Sequence, residues 1–478
     1  MPSTRRPLPR AAALTAAALV TSILTAPAAA HARPVDTRDR DLSKATTTQL
    51  LGDPVYGRDR STRPFEDDLL DLATTADGHL VAAFVEASKG SQRLIVVVED
   101  GQGGWRVLED RSYMFDVVAD LSLAVADDFP SSAGDDRVYV ALELANYGTR
   151  YIGLASGSLH QPWKTRAGDF ELQFVLELDR DAGVELPEHF SPSHPEVEVF
   201  PRPGKDDYAV GIAFEGYQRF EEPPVVEGAE PFVFHANGIY LAFSLDHGQS
   251  IGDALHVLGR NAPAPRGPLN LQGDDYFRPD LASDGTNRSL VLSAQDDASG
   301  DIYLLNSPVE VAAVTSAQQQ RRLNLIEIQS GRPGVQGHSP RVAAAQGVVH
   351  LTYLEHGQGR SGGHTARWLS GYPHLAPFLD QQAALHAECA SEVDLEVREG
   401  TAFLASACYP DQGMAWPVIT AFEIATSNGG VTSLLVDDER ATSVARSARV
   451  TVTPERSRHR QEVTTGWFSI RGLRLQTY

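Results

Sequence analysis

DLATTADGHLVAAFVE, residues 71–86, reads as a single β-hairpin. Residues 71–74 start a short strand on the polar Asp71, Asp77-Gly78 tolerates the positive φ of a tight turn, and residues 80–85 form an apolar run ending on Glu86. Its closest copy is DLASDGTNRSLVLSAQD, residues 280–296. Further copies begin near Ser122 (or Asp120), Glu196, Arg341, Glu392 and Arg449, and Gln346-Gly347 and Glu399-Gly400 stand at turn positions. Starts lie about 50–85 residues apart, room for a four-stranded sheet in each unit. Additional strands are predicted over residues 93–99, 105–108, 238–244, 254–258, 301–306, 323–328, 419–425 and 432–436, and only residues 313–322 suit a short helix. Seven hairpins predict an all-β chain folded as a β-propeller of seven blades, with six as the alternative count. Two stacked sandwiches are the competing arrangement. After the seventh hairpin only residues 472–478 remain, so residues 46–51 are expected to supply the missing strand and close the ring.

The first 32 residues differ in kind. Arg5, Arg6 and Arg10 precede an apolar run over residues 11–24, and residues 28–32 offer cleavage sites after Ala30 or Ala32. This is the layout of a bacterial secretory signal peptide, too short and alanine-rich to stay in a membrane. Arg5-Arg6 resembles a twin-arginine signal, although Pro7 and Pro9 interrupt the pattern, and the export route stays open. The expected organisation is signal peptide 1–32, an N-terminal segment 33–64 with the closing strand, and propeller 65–478. The mature protein is expected to be secreted or periplasmic, monomeric and without a membrane span.

Formal charge is −22, from 63 acidic and 41 basic residues, and loss of the leader's three arginines takes it to −25. Such a chain is ill suited to the phosphate backbone of nucleic acid. An extracellular glycan or protein ligand is the expected partner. The sequence implies no cofactor, and calcium is the cation an acidic site would accept. Cys389 and Cys408 flank the sixth hairpin, as a local disulfide would in an oxidising compartment or as a reduced core pair otherwise.

In a propeller the start of each first strand and the end of each second strand share one face. The starts are Asp71, Ser122, Glu196, Asp280, Arg341, Glu392 and Arg449, and the second-strand ends carry Glu86, Glu143, Glu215, Asp296 and Glu355. Together they predict a carboxylate-rich funnel, either a binding site or a self-satisfied network of charges. His338 and His386 in neighbouring entry loops, with His194, are candidate metal ligands or bases. Residues 218–236 read as an insertion in the third unit suited to a lid or docking loop.

Ser244-Leu245-Asp246-His247-Gly248-Gln249-Ser250 resembles the Asp-box of the BNR-repeat, sialidase-like propellers, S-x-D-x-G-x-[ST]. Residues 156–163 and 101–105 are candidate degenerate copies. The resemblance implies a structural turn between the third and fourth strands of a blade. For sialidase activity it would further imply an arginine triad, for which Arg278, Arg341 and Arg449 are the candidates. Tyr276-Phe277-Arg278-Pro279 is similar to the family's F-R-I-P signature but lacks the Ile and lies in the fourth unit. A carboxylate-binding triad set among so many acids is electrostatically unfavourable. Two functions follow as expectations: an exported recognition protein that binds a glycan, peptide or envelope partner through the acidic funnel, or a glycoside hydrolase or lyase that uses funnel carboxylates.

Overall fold

The computed structural model describes 27 β-strands, together with residues 69, 75–79, 100, 104, 127, 136, 159–163, 245–252, 254, 259 and 347. Strand β1 (Thr46–Gln49) comes first in the chain. A first antiparallel sheet follows in chain order, β2 (Leu70–Thr74), β3 (Leu80–Ser88), β4 (Ser91–Glu99) and β5 (Trp105–Tyr113). The second is β6 (Val117–Ala126), β7 (Arg137–Asn146), β8 (Thr149–Ser158) and β9 (Gln173–Phe174). The third is β10 (Ser191–Arg202), β11 (Asp207–Glu222), β12 (Phe232–Ser244) and β13 (Leu255–Leu258). The fourth is β14 (Tyr276–Ser283), β15 (Leu290–Asp296), β16 (Ile302–Asn306) and β17 (Asn324–Ile328).

The next sheet has seven strands: β18 (Gly337–Ala345), β19 (Val348–His356), β20 (His364–Gly371), β21 (Gln381–Arg398), β22 (Thr401–Cys408), β23 (Val418–Ala425) and β24 (Gly430–Leu435). Its middle strand, β21, is 18 residues long and serves two meanders. The first part pairs with β20, from Ser370↔Gln381 to His364↔Ala390, and the second with β22, from Ala390↔Cys408 to Arg398↔Thr401. The last sheet joins β25 (Arg449–Val452), β26 (Val463–Ser469) and β27 (Gly472–Thr477) to β1, whose Thr46 faces Thr477.

Strand alternation sends each side of a sheet to a different neighbour. In β3, Val81, Ala83 and Val85 pack with Val138, Val140 and Leu142 of the second sheet. Leu80, Ala82 and Phe84 enter another cluster that includes Leu475 of β27. In β7, Tyr139 and Ala141 turn the other way, onto Tyr208, Val210 and Ile212 of the third sheet. A sandwich buries one face of each sheet; here both faces are buried, so the sandwich reading fails. Each fully buried Val, Leu or Phe contributes about 1.5–3 kcal/mol, which makes this inter-sheet packing the main source of stability. The first strands touch in the order β2, β6, β10, β14, β18, β21, β25, and β25 touches β2 again. This is an all-β layout of the propeller type. Among the described residues no helix is long and apolar enough to cross a membrane.

The hairpin turn forms as expected, with Gly78 at φ 77° and its N–H donated to the Thr75 carbonyl at 2.8 Å. Residues 244–250 form a tight turn between β12 and β13, the third and fourth strands of their sheet. The Asp246 carboxylate accepts from Ser244 Oγ and Ser250 N, each at 2.8 Å, and from Ser250 Oγ. Gly248 takes φ 81°, and a Cβ there would lie 2.9 Å from Tyr139 Cε1, so the turn docks flush against the second sheet. Trp163 packs on Gly157 and donates Nε1–H to the Ser158 carbonyl at 3.1 Å, and Asp100 accepts from Gly104 N at 2.9 Å in the turn before β5.

One expectation is corrected. Residues 218–222 and 232–236 are strand, in register from Gln218↔Ala236 to Glu222↔Phe232, and Phe220, Phe232, Val233 and Phe234 are residue types that favour strands. The two ends of the segment are therefore paired strand rather than loop, and residues 223–231 lie outside the described residues. The predicted helix at 313–322, His386's side chain and the side chains of Cys389 and Cys408 lie outside the described residues. In register Cys408 faces Ala390, one residue from Cys389.

Candidate functional site

The first strands enclose a cavity of 480 Å³ whose walls include Asp71, Ser122, Glu196, Asp280, Arg341 and Asp394, with Glu198, Glu396 and Arg398 two or four residues further along their strands. A second cavity, of 320 Å³, shares Leu72, Leu123, Glu198, Glu396 and Arg398 with it and reaches Thr74, Asp127 and Thr451.

Register defines the wall. Asp71 faces Ala83, Ser122 faces Ala141, Glu196 faces Ala213, Asp280 faces Ser293, Arg341 faces Thr352, Asp394 faces Ala405 and Arg449 faces Gly466. At the sixth position Asp394, two residues past Glu392, lines the cavity. A first strand lacks a ladder partner on its inner edge, and its N–H groups need acceptors. The side chains supply them from one sheet to the next. Asp71 Oδ2 accepts Leu123 N at 2.7 Å, Ser122 Oγ accepts Val197 N at 3.0 Å, Asp280 Oδ2 accepts Val342 N at 2.5 Å and Asp394 Oδ2 accepts Val450 N at 2.8 Å. Arg341 Nη1 contacts Glu196 Oε1 and lies 3.3 Å from Asp280 Oδ1.

Crowding sets the protonation of this wall. Burial, then the charges of Glu396 and Asp280, push the Glu198 carboxyl well up. Burial raises Asp280 against the lowering effect of Arg341, with Glu196 and Asp394 adding to the rise. Burial also raises Glu396, which accepts Arg398 Nε at 3.1 Å. These groups still meet the cavity, Asp280 with 12% and Glu396 with 31% of the side chain exposed, so water softens the effect.

The second-strand acids do different work. His194, Arg278 and Ser339 sit at bulges with φ of 48°, 52° and 50°, each directly before a proline. Glu143 accepts His194 N at 3.1 Å and pairs with Arg150 at 2.6 Å. Glu215 accepts Arg278 N at 2.6 Å and Ser193 Oγ at 3.1 Å, and its Oε2 lies 3.1 Å from His194 Nδ1. Glu143 and Glu215 are only 2% and 3% exposed, so they clasp the next sheet's bulge rather than line an open funnel. Burial opposes charge on His194, yet Glu215, Asp120 and Glu143 raise its pKa to about 9, and the same contact lowers Glu215. Glu355 pairs with Arg367.

The predicted residues therefore split. Asp71, Glu196, Asp280 and Arg341 share the cavity, whereas Glu143, Glu215, Arg278, Glu355 and His338 do not line it. Arg278 donates Nη1–H to Ser339 Oγ at 2.6 Å, away from Arg341, so these two do not form an arginine pair. The side chains of Glu86, Glu392 and Arg449 lie outside the described residues. Glu198, Glu396 and Arg398 were missed, although strand alternation beyond each entry residue marks them.

No family model and no curated protein sequence matches the chain. Among solved structures it is similar to the α-L-arabinofuranosidase Arb93A from Fusarium graminearum in complex with an iminosugar inhibitor, at 12% identity over 90% of this chain and 97% of that one, with a TM-score of 0.45. It is similar to a Penicillium chrysogenum α-L-arabinanase complexed with arabinobiose, at 11% identity over 91% and 98%, TM-score 0.44. It is also similar to the NanB sialidase from Streptococcus pneumoniae, at 9% identity over 85% and 66%, TM-score 0.38. No residue role passes from these proteins to this chain.

Proposed function

We propose that the chain is an exported, closed propeller of seven blades that takes a glycan in its axial cavity and hydrolyses a glycosidic bond there. The cyclic contacts of the first strands, the double use of β21 and the pairing of β1 with β27 support seven blades and closure. The leader-like residues 1–32 support export.

One observation carries the function: a single cavity wall holds Glu198, Asp280 and Glu396, pushed toward the protonated form, beside Glu196, engaged by Arg341. Glycoside hydrolysis needs both a carboxylic acid to protonate the departing oxygen and a carboxylate to act opposite it. Glu198 is the acid in this reading. Against a panel of aryl glycosides and oligosaccharides, Glu198→Gln lowers turnover on the order of 100-fold or more, the usual worth of a general acid, while binding persists. Unchanged turnover in that variant removes Glu198 from the mechanism.

Recognition without turnover is the second reading. It is favoured by Asp71, Asp280 and Asp394, each of which already serves a neighbouring backbone N–H. Saturable glycan binding with no cleavage of any bound oligosaccharide selects it.

A further inference from the structure

We infer that the rim of the fifth unit holds a divalent transition-metal site built from His338, His356 and His364. His356 and His364 are directly opposed across β19 and β20, flanking residues 357–363. His338 enters from β18 at the bulge preceding Ser339, beside Leu354 of β19. One ring nitrogen from each lies within 4.8 Å of the other two. Ring centroids are 5.1 Å apart for His356 and His364, 5.2 Å for His338 and His364, and 6.3 Å for His338 and His356. Zinc–imidazole bonds of about 2.0–2.1 Å put tetrahedral ligand nitrogens roughly 3.4 Å apart, so small side-chain rotations close the set.

A second observation points the same way. His364 Nδ1 is buried and has no hydrogen-bond partner, a state that a native interior rarely leaves unexplained. The donor set is three imidazoles and no carboxylate, which suits zinc, copper or nickel rather than calcium or magnesium. His356 is exposed, so a fourth position faces solvent and would take a water or an external ligand. None of the three lines either axial cavity, so the site is separate from the carboxylate wall and independent of whether that wall hydrolyses anything.

The test uses the full chain stripped with chelator, titrated calorimetrically with Zn²⁺ and, in parallel, with Co²⁺ as an absorbing probe. The expected result is one Zn²⁺ per chain and a visible Co²⁺ band of four-coordinate intensity. His356→Ala and His364→Ala each weaken binding on the order of 100-fold, at least the loss seen when a mere supporting contact to a ligand is removed. Glu198→Gln leaves the affinity unchanged. No saturable Zn²⁺ binding, or binding retained in the His356→Ala/His364→Ala double variant, overturns the site. If His364→Ala fails to fold, the exposed His356→Ala alone decides, since its loss costs no core packing.

Discussion

At the scale of single residues, Asp71, Glu143, Glu215, Asp280 and Asp394 act as acceptors for the backbone of the next sheet. Glu215 shows the consequence most clearly, because it serves Arg278 N, Ser193 Oγ and His194 together. The His194 side chain is 43% exposed, so solvent screens the pair, but the direction is clear. A histidine raised on folding contributes stability that is complete below its ordinary range near pH 6.5 and lost as pH climbs through about 9. The depressed Glu215 contributes stability above the ordinary carboxylate range, lost on acidification. Replacing Glu215 by Gln leaves His194 with its burial but without its main partner. Its pKa, followed by NMR of the imidazole, should fall from about 9 toward or below 6.5. A value unchanged in Glu215→Gln refutes the pairing. The sequence placed Glu143 and Glu215 at strand ends because the repeat fixes that position. Their partners were not legible, because the clasped bulges belong to the following unit, 51 and 63 residues away.

At the scale of elements, hairpins were the most readable feature. Residues 71–86 and their copies carry turn glycines and period-two alternation, and these depend only on local geometry. Joins between units were harder. The 18-residue β21 spans two meanders, and nothing local in the sequence separates its last-strand part from its first-strand part. The N-terminal strand was inferred by counting: one strand was missing after residue 472, and β1 fills that place beside β27. Deleting residues 46–49 uncovers the outer edge of β27. It should lower Tm by roughly 1 °C for each kcal/mol lost, as the entropy of unfolding a chain of this length implies, and speed amide exchange in β27. Unaltered exchange there would mean that β1 adds nothing to the sheet.

At the scale of the whole molecule, bringing the first strands together crowds carboxyls that are far apart in the chain. Besides burial, Glu396 raises the proton affinity of Glu198 from a strand almost two hundred residues away, with Asp280 adding to the effect. A carboxyl raised on folding binds its proton more tightly in the native state. Its stabilisation is therefore complete below the ordinary carboxylate range and is lost as pH rises through the native value. Wild-type Tm should fall as pH rises above the ordinary carboxylate range, and Glu198→Gln, which mimics the protonated form, should fall less steeply. Parallel Tm–pH curves would show that the cavity wets Glu198 fully.

The sequence by itself determined strand, turn and repeat, since alternation and turn glycines act over a few residues. It also determined the acidic balance and the location of an Asp-box turn between two strands. Only the tertiary structure decided which acids meet. It set Asp394 on the wall, turned Glu143 and Glu215 into clasps, and gathered His338, His356 and His364 into one cluster. The reason is physical: proton affinity, ion pairing and metal ligation depend on distances of a few ångströms through space, and sheet-to-sheet packing sets those distances.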